Sequence, residues 1–547
     1  MSTAFVPQQQ PQPPDAPPPV PPHASEATRL LCAGAYLDPA YRDRVIEELF
    51  VNEQRFVAPS LGFDAARVLA HALRARRQEV QWAWAVLGLW LVGAVLSGGR
   101  LVLFLVPSVL LAIGGWIHGG DPDRHLYRAG LAFLLRWAGG LFFLVLMLAL
   151  VAAAFGGGRI EPWRAWAVFV MFVLIAACLA GQRGRFARVL AAELSPRRFP
   201  DAVNDPAERD PSRRVQMLKH RIRTEQHAPL VMYHEARPFC GAGVASREWV
   251  LSVELKPVPS KKQQPLSNRL VLEQIRPRVE RLRVPAECAG TGVRDRLRWL
   301  EIDECVFLPA EGLLRREDAP YHPQAFEEHR ARAVEEGAEK RRHFLRIRVG
   351  GWEEELVVTV FVRIHTQGGM LMLEIAPHVL LPVRPDFKDA DRAAHRFRHN
   401  SSLGKAVWAM SRVPGSLAGS LAALSRSGVH RWGRLTGGYA GALPDGPALS
   451  VRELGSGSGT SQFQEMDVAR YLKSIQERVA HGVRAALAEA GYQTGEFIQQ
   501  VYNISNGGVH IGRVQGSTFA VGDHSAASST TGGGTPRKGS GSDDHGG

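Results

Sequence analysis

The sequence predicts a membrane-embedded block of four α-helices, arranged as two hairpins, and a soluble cytoplasmic α+β domain with an antiparallel sheet. Four apolar runs follow one another within residues 80–181, which indicates the helices. Arginines cluster on one side of these runs, which indicates a single orientation in a bilayer. Alternating apolar segments near the middle of the 547-residue chain indicate the sheet.

The segment before the first apolar run divides into two parts. Residues 1–23 are rich in proline and predict disorder, because they cannot bury an apolar core. They also lack the basic and apolar regions of a signal peptide, so the first apolar helix is expected to direct insertion. Residues 24–79 predict a cytosolic helical prefix, in which Asp64 is placed to cap the second helix.

The four apolar runs have nearly the length that crosses a bilayer, which is about 20 residues at roughly 1.5 Å each. They occupy residues 80–97, 101–118, 137–155 and 163–181, and together form the transmembrane block 80–181. Short glycine-containing linkers join the first run to the second and the third to the fourth, so the runs pair as hairpins. None of the runs contains Asp, Glu or Lys, which argues against an ion path and favours an anchor.

Arginine placement predicts the orientation of this block. Ten arginines flank the runs on the side that holds both chain ends, and three flank them on the opposite side. The side with more basic residues usually faces the cytoplasm. The sequence therefore predicts a multi-pass protein of the plasma membrane with both termini in the cytoplasm.

Residues 182–213 predict a linker, and residues 214–386 predict the α+β domain. Segments 344–349, 355–365 and 370–375 alternate or are rich in β-branched residues, which predicts an antiparallel meander.

The nearest approach to a site in this domain consists of His234, Glu235, Cys240, Gly241 and Gly243. A phosphate loop needs a strand before it and a helix after it, whereas this Gly-x-Gly turn precedes a strand, so the signal for a site is weak.

The sequence contains no phosphate loop, nucleophile elbow, paired-histidine zinc motif or kinase signature. Its five cysteines form no C-x-x-C pair and have no histidine at metal-ligand spacing, so reduced thiols are expected. We therefore expect no catalytic residue, no cofactor and no metal. The formal charge of +13 is expected to favour an anionic membrane surface over nucleic acid.

A basic amphipathic region follows the domain, at residues 387–440. Apolar residues recur at near-helical spacing between Lys405 and Arg434, interspersed with further arginines. Two interpretations stay open, namely a helix lying on the anionic cytoplasmic leaflet and a helix packed on the preceding sheet. Residues 441–462 predict a linker, and residues 463–497 predict an amphipathic helix.

Residues 498–524 predict a β-prone motif, and residues 525–547 predict a disordered tail. Short apolar pairs separated by glycines are typical of short strands that stack between identical segments of several chains. The candidate assembly residues are Val509, His510, Ile511, Gly512, Val514, Gln515, Phe519 and Val521.

Three segments carry a resemblance to a known family: DPAYRDRVIEELF, FCGAGVASREWVLSVELKP and GGWEEELVVTVFVRIHTQG. With these segments the chain resembles uncharacterised multi-pass membrane proteins of high-GC actinobacteria, and the resemblance implies no activity. The sequence Val509-His510-Ile511-Gly512 is similar to the (V/I)-Q-(V/I)-G core of bacterial amyloid-signalling motifs, with His in place of Gln. That similarity implies a membrane-active effector whose C-terminal motif is templated by a partner protein.

The sequence favours a non-enzymatic membrane protein that binds a protein partner, or forms a homo-oligomer, through its C-terminal region. A signalling or defence effector is a narrower form of this hypothesis. A small channel or transporter component, and a membrane-tethered enzyme with an unrecognised site, remain as alternatives. The expected partners are the lipid bilayer, anionic lipid headgroups and another protein chain.

Overall fold

The computed structural model describes residues 20–59, 61–118, 126–155, 161–209, 212–285, 297, 299–336, 339–353, 355–436 and 442–505. The α-helices within these ranges are α1 (Glu26–Leu37), α2 (Pro39–Ile46), α3 (Ala65–Leu96), α4 (Leu105–His118), α5 (Leu126–Ala154), α6 (Pro162–Arg188), α7 (Arg213–His227), α8 (Asn268–Glu280), α9 (Pro323–Glu336), α10 (Pro385–Lys388), α11 (Ala390–His399), α12 (Ser402–Thr436), α13 (Val451–Leu454), α14 (Gln462–Glu489) and α15 (Gly495–Ser505). The strands are β1 (Leu230–Tyr233), β2 (Val244–Ala245), β3 (Trp249–Glu254), β4 (Trp299–Pro309), β5 (Arg342–Gly351), β6 (Leu356–Gln367) and β7 (Met370–Leu380).

The N-terminal helices form a helical unit, which we define as α1, α2, residues 65–79 of α3, α7, α10 and α11. Its buried apolar core includes Leu31, Val45, Leu69, Ile222 and Phe387. Asp64 is the N-cap of α3, because its Oδ1 accepts the backbone N–H groups of Ala66 and Arg67 at 2.9 and 3.3 Å. The long helix α3 therefore begins inside a folded unit and continues into the apolar block.

Among the described residues, three helices, α3, α5 and α6, are long and apolar enough to cross a membrane. At most 33% of each apolar window is buried inside the molecule, so most of these side chains face outward. Leu91, Phe133 and Phe155 are examples of the large apolar residues exposed on this surface. An exposed apolar surface of this extent is the pattern expected where lipid surrounds the helices instead of water.

The second apolar run forms a shorter helix than the sequence predicted. It folds as a 3-10 helix over Arg100–Phe104 and then as the 14-residue helix α4. Pro107 lies in the first turn of α4, where a missing N–H breaks no helical hydrogen bond. The prediction of four spanning helices is therefore confirmed for three of them, and the run at residues 101–118 is the exception.

α4 and α5 pack closely and run antiparallel. A Cβ added at Gly139 of α5 would lie 3.2 Å from the carbonyl oxygen of Pro107, near the start of α4. A Cβ added at Gly114, near the end of α4, would lie 3.1 Å from the carbonyl oxygen of Ala132. α4 therefore returns along the block in the direction opposite to α5.

The strands form one mixed sheet in the order β1-β4-β5-β6-β7-β2, with β3 also paired to β7. Strands β5, β6 and β7 form the expected antiparallel meander. β1 runs parallel to β4, with Leu230 opposite Val306, so the predicted antiparallel sheet is corrected to a mixed one. β1 has only four residues and no alternation, so its sequence does not indicate a partner strand some seventy residues later in the chain. The parallel pairing was therefore missed.

The two faces of the sheet differ in chemistry. Apolar side chains of α8 and α14, such as Ile275 and Leu472, cover one face and complete the domain core. The other face carries an aromatic cluster, in which the ring of Phe239 lies 4.7 Å from the ring of Phe361 between centroids. Next to this cluster Asp303 accepts a hydrogen bond from Arg346 Nε at 2.9 Å.

The 35-residue helix α12 packs mainly on α3, α4 and α6 of the apolar block. Val413 and Leu417 are buried there, and Trp90 Nε1 donates a hydrogen bond to Ser416 Oγ at 3.1 Å. The interpretation in which this helix packs on the preceding sheet is therefore wrong, because the helix packs on the apolar helices instead. The domain is connected to the block through this helix.

Candidate functional site

The candidate assembly residues, from Val509 to Val521, lie outside the described residues. The last helix that the structure describes, α15, ends at Ser505, four positions before this motif. The assembly hypothesis therefore stays a prediction from the sequence.

The Gly-x-Gly turn is placed where its backbone binds a carboxylate of the same chain. The backbone N–H groups of Gly241 and Gly243 donate to Glu453 Oε1 at 2.7 and 3.0 Å. Arg237 Nη2 adds a third hydrogen bond to the same carboxylate, at 3.2 Å. Both glycines have a φ close to +97°, and an added Cβ would collide with a backbone carbonyl oxygen of Pro59 or Val379. The turn is therefore an anion-binding loop, and its anion is Glu453.

Burial of Glu453 opposes ionisation and raises the pKa of its carboxyl, although the two N–H groups and Arg237 favour the charged form. The neighbouring Arg452 is fully buried and donates to the carbonyl oxygen of Leu381 at 2.9 Å. Val451 of the same helix, α13, is buried in the core of the helical unit, so α13 fastens that unit to the rim of the sheet. We call Arg452, Glu453 and their partners a structural joint.

The other candidate residues of the domain, Cys240, His234 and Glu235, do not form a catalytic group beside Glu453. Burial raises the pKa of the Cys240 thiol to about 12, which keeps it in the unreactive protonated form near neutral pH. His234 Nδ1 accepts the backbone N–H of Ala236 at 3.1 Å, and Glu235 pairs with Lys340 at 3.7 Å. Among the described residues, no group of three His, Cys, Asp or Glu is arranged to hold a metal.

Arg67, His71 and Asp205 form a buried ion cluster that no sequence motif indicated. Asp205 Oδ2 accepts hydrogen bonds from Arg67 Nη2 at 2.7 Å and lies 3.0 Å from His71 Nε2. Burial opposes ionisation of Asp205, but the contacts with His71 and Arg67 outweigh it and hold the pKa of this carboxyl well below its usual range. The cluster is closed to solvent and joins the segment after α6 to α3, so it stabilises the helical unit.

A large concave surface lies where α3 leaves the helical unit and meets the C-terminal half of α12. This basic cleft has a volume of about 670 Å³ and is open on one side. One wall follows a single face of α3, formed by Leu73, Arg76, Arg77, Val80, Gln81 and Trp84. The opposite wall belongs to α12 and is formed by Leu424, Ser427, Gly428, His430 and Arg431. Phe50, Val51, Ser212 and Val215 close the remaining sides.

Along α3, the charged residues and the apolar residues of the cleft lie at opposite ends. Arg76 and Arg77 lie at the end that belongs to the helical unit, and Val80 and Trp84 lie farther along, where the apolar run begins. Trp84 is 64% exposed, as expected of an aromatic ring at the boundary between headgroups and hydrocarbon. The cleft thus offers cationic groups to a polar headgroup and an apolar wall to a chain.

Acidic side chains near the cleft are mostly occupied by other arginines. Asp43 pairs with Arg426 at 3.3 Å, and Glu79 pairs with Arg426 at 3.4 Å and with Arg42. Glu47 is exposed nearby and favours the protonated form of His430. Burial, followed by the charges of Arg76 and Arg426, nevertheless lowers the pKa of His430. The net character of the cleft is cationic, with a neutral imidazole at its wall near neutral pH.

α12 also carries an exposed apolar stripe on the side away from the block. Its members recur at helical spacing and include Leu403, Val407, Met410, Leu421, Val429 and Trp432. Basic side chains such as Arg412 and Arg426 lie beside this stripe. A helix with one apolar face on the protein, a second apolar face outward and a basic flank is typical of the interface between lipid and water.

Residues 248–516 match the family model described as an AbeC-like domain. The matched range begins at β3 and extends past α15, so it covers most of the sheet, α12 and α14. This agreement supports the expected similarity to an uncharacterised family and carries no information on membrane placement or source. No curated protein and no solved structure matches the chain.

Proposed function

We propose that the chain is a non-enzymatic membrane protein that holds its mixed-sheet domain at the cytoplasmic face of the bilayer for binding. The apolar block and α12 anchor it, and the domain with its C-terminal segment engages a partner protein or a second copy. The observation that carries the proposal is the exposed apolar surface of α3, α5 and α6 beside the exposed stripe of α12.

The charge pattern of α12 supports its placement in the headgroup region. Arg412 and Arg426 lie on the flank between the buried and the exposed apolar faces, where anionic lipids would meet them. Arg426 also pairs with Asp43 of α2 and Glu79 of α3, so the helix is fixed to the folded unit. An anchor of this kind limits the orientation of the domain relative to the membrane.

Two exposed tryptophans provide the test of this placement. Trp432 is 69% exposed on the stripe of α12, and Trp352 is 46% exposed at the turn after β5. The full chain is reconstituted in vesicles with and without brominated lipid, and its fluorescence is compared with that of the Trp432→Phe and Trp352→Phe variants. Bromine quenches only nearby rings, so the Trp432 contribution should be quenched and the Trp352 contribution should not.

Equal quenching of both contributions, or of neither, would contradict the placement of α12 at the lipid interface. The binding half of the proposal is tested by the mass of the detergent-solubilised full chain in light scattering. We expect a homo-oligomer or a complex, and we expect Ile511→Asp to reduce it because a charge opposes stacking of the candidate motif. A chain that stays monomeric and alone at every concentration would overturn this half.

A further inference from the structure

We propose that the basic cleft binds one anionic phospholipid, with its phosphate at Arg76, Arg77 and Arg431 and an acyl chain along Val80 and Trp84. The proposal rests on the membrane placement proposed above and names the lipid chemistry that this placement brings to the cleft. It commits to a lipid as the occupant because the cleft joins a cationic end to an apolar wall.

The order of residues along α3 favours an amphiphile over a small anion. From Leu73 to Trp84 the wall rises about 17 Å at roughly 1.5 Å per residue, which is the length of a headgroup and the first part of a chain. A free phosphate needs only the arginine end, and it would leave the apolar wall of Val80, Trp84 and Leu424 exposed to water. A phospholipid covers both ends of the cleft at once.

The charges in and around the cleft suit a phosphate. Arg76 Nη2 lies 3.5 Å from the carbonyl oxygens of Arg426 and Ser427, which positions its guanidinium between α3 and α12. Arg431 is exposed and has no carboxylate partner in the part of the chain that the structure describes. Arginines at the cytoplasmic ends of apolar helices are a common way to bind anionic headgroups.

Gly428 leaves open the space that the lipid would occupy. It lies on the α12 wall, and a Cβ added there would have no heavy atom within 4 Å. Gly419 lies on the same helix outside the cleft and is equally open. Both positions therefore have room for a Cβ, but only a side chain at residue 428 would extend into the cleft.

The experiment counts lipids retained by the full chain in native mass spectrometry, with phosphatidylglycerol and phosphatidylcholine offered in mixed micelles. We expect one retained phosphatidylglycerol and no retained phosphatidylcholine. Gly428→Leu should lower retention by about tenfold or more, as should Arg431→Gln, which removes a charge-assisted contact. Gly419→Leu, which makes the same change on α12 outside the cleft, should leave retention unchanged.

Equal retention in Gly428→Leu and Gly419→Leu would overturn the lipid site. If inorganic phosphate at the concentration of the lipid displaced the bound lipid, the cleft would be a site for a free anion and the proposal would be overturned. A second protein chain bound in the cleft in place of lipid would overturn it as well. Because Arg431 is exposed, Arg431→Gln should fold normally and keep the test decisive if a leucine variant is unstable. A chain that carbonate washing removes from membranes would contradict the proposed function, whereas an integral chain without retained lipid would contradict this site alone.

Discussion

His378 is a buried titratable residue that makes folding sensitive to pH. Its ring lies 4.7 Å from the ring of Phe239 and 5.7 Å from that of Phe361, between centroids, and its Nδ1 is 3.2 Å from the carbonyl oxygen of Ala376. Burial lowers the pKa of His378 from its ordinary 6.5 to about 4. Below pH 6.5 the unfolded chain therefore binds a proton that the folded chain does not bind.

We expect the free energy of unfolding to fall as the pH is lowered from about 6.5 to about 4, because protons stabilise the unfolded state. At about 1.4 kcal/mol per pKa unit, the full contribution of His378 is on the order of 3 kcal/mol. His378→Phe should remove this part of the acid sensitivity of the melting temperature, measured on the full chain in detergent at pH 7 and pH 5. The exposed His220→Gln serves as the control, and an unchanged pH dependence in His378→Phe would contradict the prediction.

At the scale of elements, the sequence predicts helices and strands that have a strong local pattern, but it does not predict which other elements they contact. The long apolar runs, the alternation at residues 344–349 in β5 and the β-branched run of β6 are local patterns, so the sequence alone predicts them. The parallel partner of β1 lies far along the chain, and α4 was shortened by a 3-10 segment that hydropathy does not detect. The amphipathic pattern of α12 predicts a helix, but two apolar faces leave open which of them meets the protein.

The basic cleft was not predictable for a related reason. Its walls come from four segments separated by more than a hundred residues in places, so no spacing rule connects them. Arg76 and Arg77 are two of the ten arginines from which the orientation was predicted, and that role alone accounts for basic residues beside apolar runs. Gly241 and Gly243 gave only a weak signal for a phosphate loop, and nothing in the sequence indicates that Glu453 is the anion that they bind.

Arg426 should hold the C-terminal half of α12 against the helical unit. Its side chain pairs with Asp43 at 3.3 Å and with Glu79 at 3.4 Å, and thereby connects α12 to α2 and α3. Arg426→Gln should speed hydrogen–deuterium exchange of residues 420–436 in nanodiscs by up to about fivefold, since a partly exposed ion pair contributes about 1 kcal/mol or less. Arg412→Gln is the matched control, because Arg412 lies over the Trp408 ring at 5.4 Å and away from these carboxylates. Equal exchange in the two variants would show that packing alone holds the helix.

At the scale of the whole molecule, the length of the second run decides how many times the chain crosses the bilayer. The five-residue 3-10 segment and the 14 residues of α4 together rise about 31 Å, at roughly 2.0 and 1.5 Å per residue. The hydrocarbon core is about 30 Å thick, so this run is just long enough to cross. α4 also packs antiparallel on α5, so we expect four crossings with both termini on the same side.

Cysteine labelling on intact cells distinguishes four crossings from three. With four crossings, Glu161 at the start of α6 faces outside and Arg209 after α6 faces the cytoplasm; with three, the two positions exchange sides. The background carries Cys178→Ser and Cys288→Ser, because Cys32, Cys240 and Cys305 are buried and should react slowly. We expect a membrane-impermeant maleimide to label Glu161→Cys on intact cells and Arg209→Cys only after lysis. The reverse pattern would show that α4 turns back without crossing, and the ends of the chain would then lie on opposite sides of the membrane.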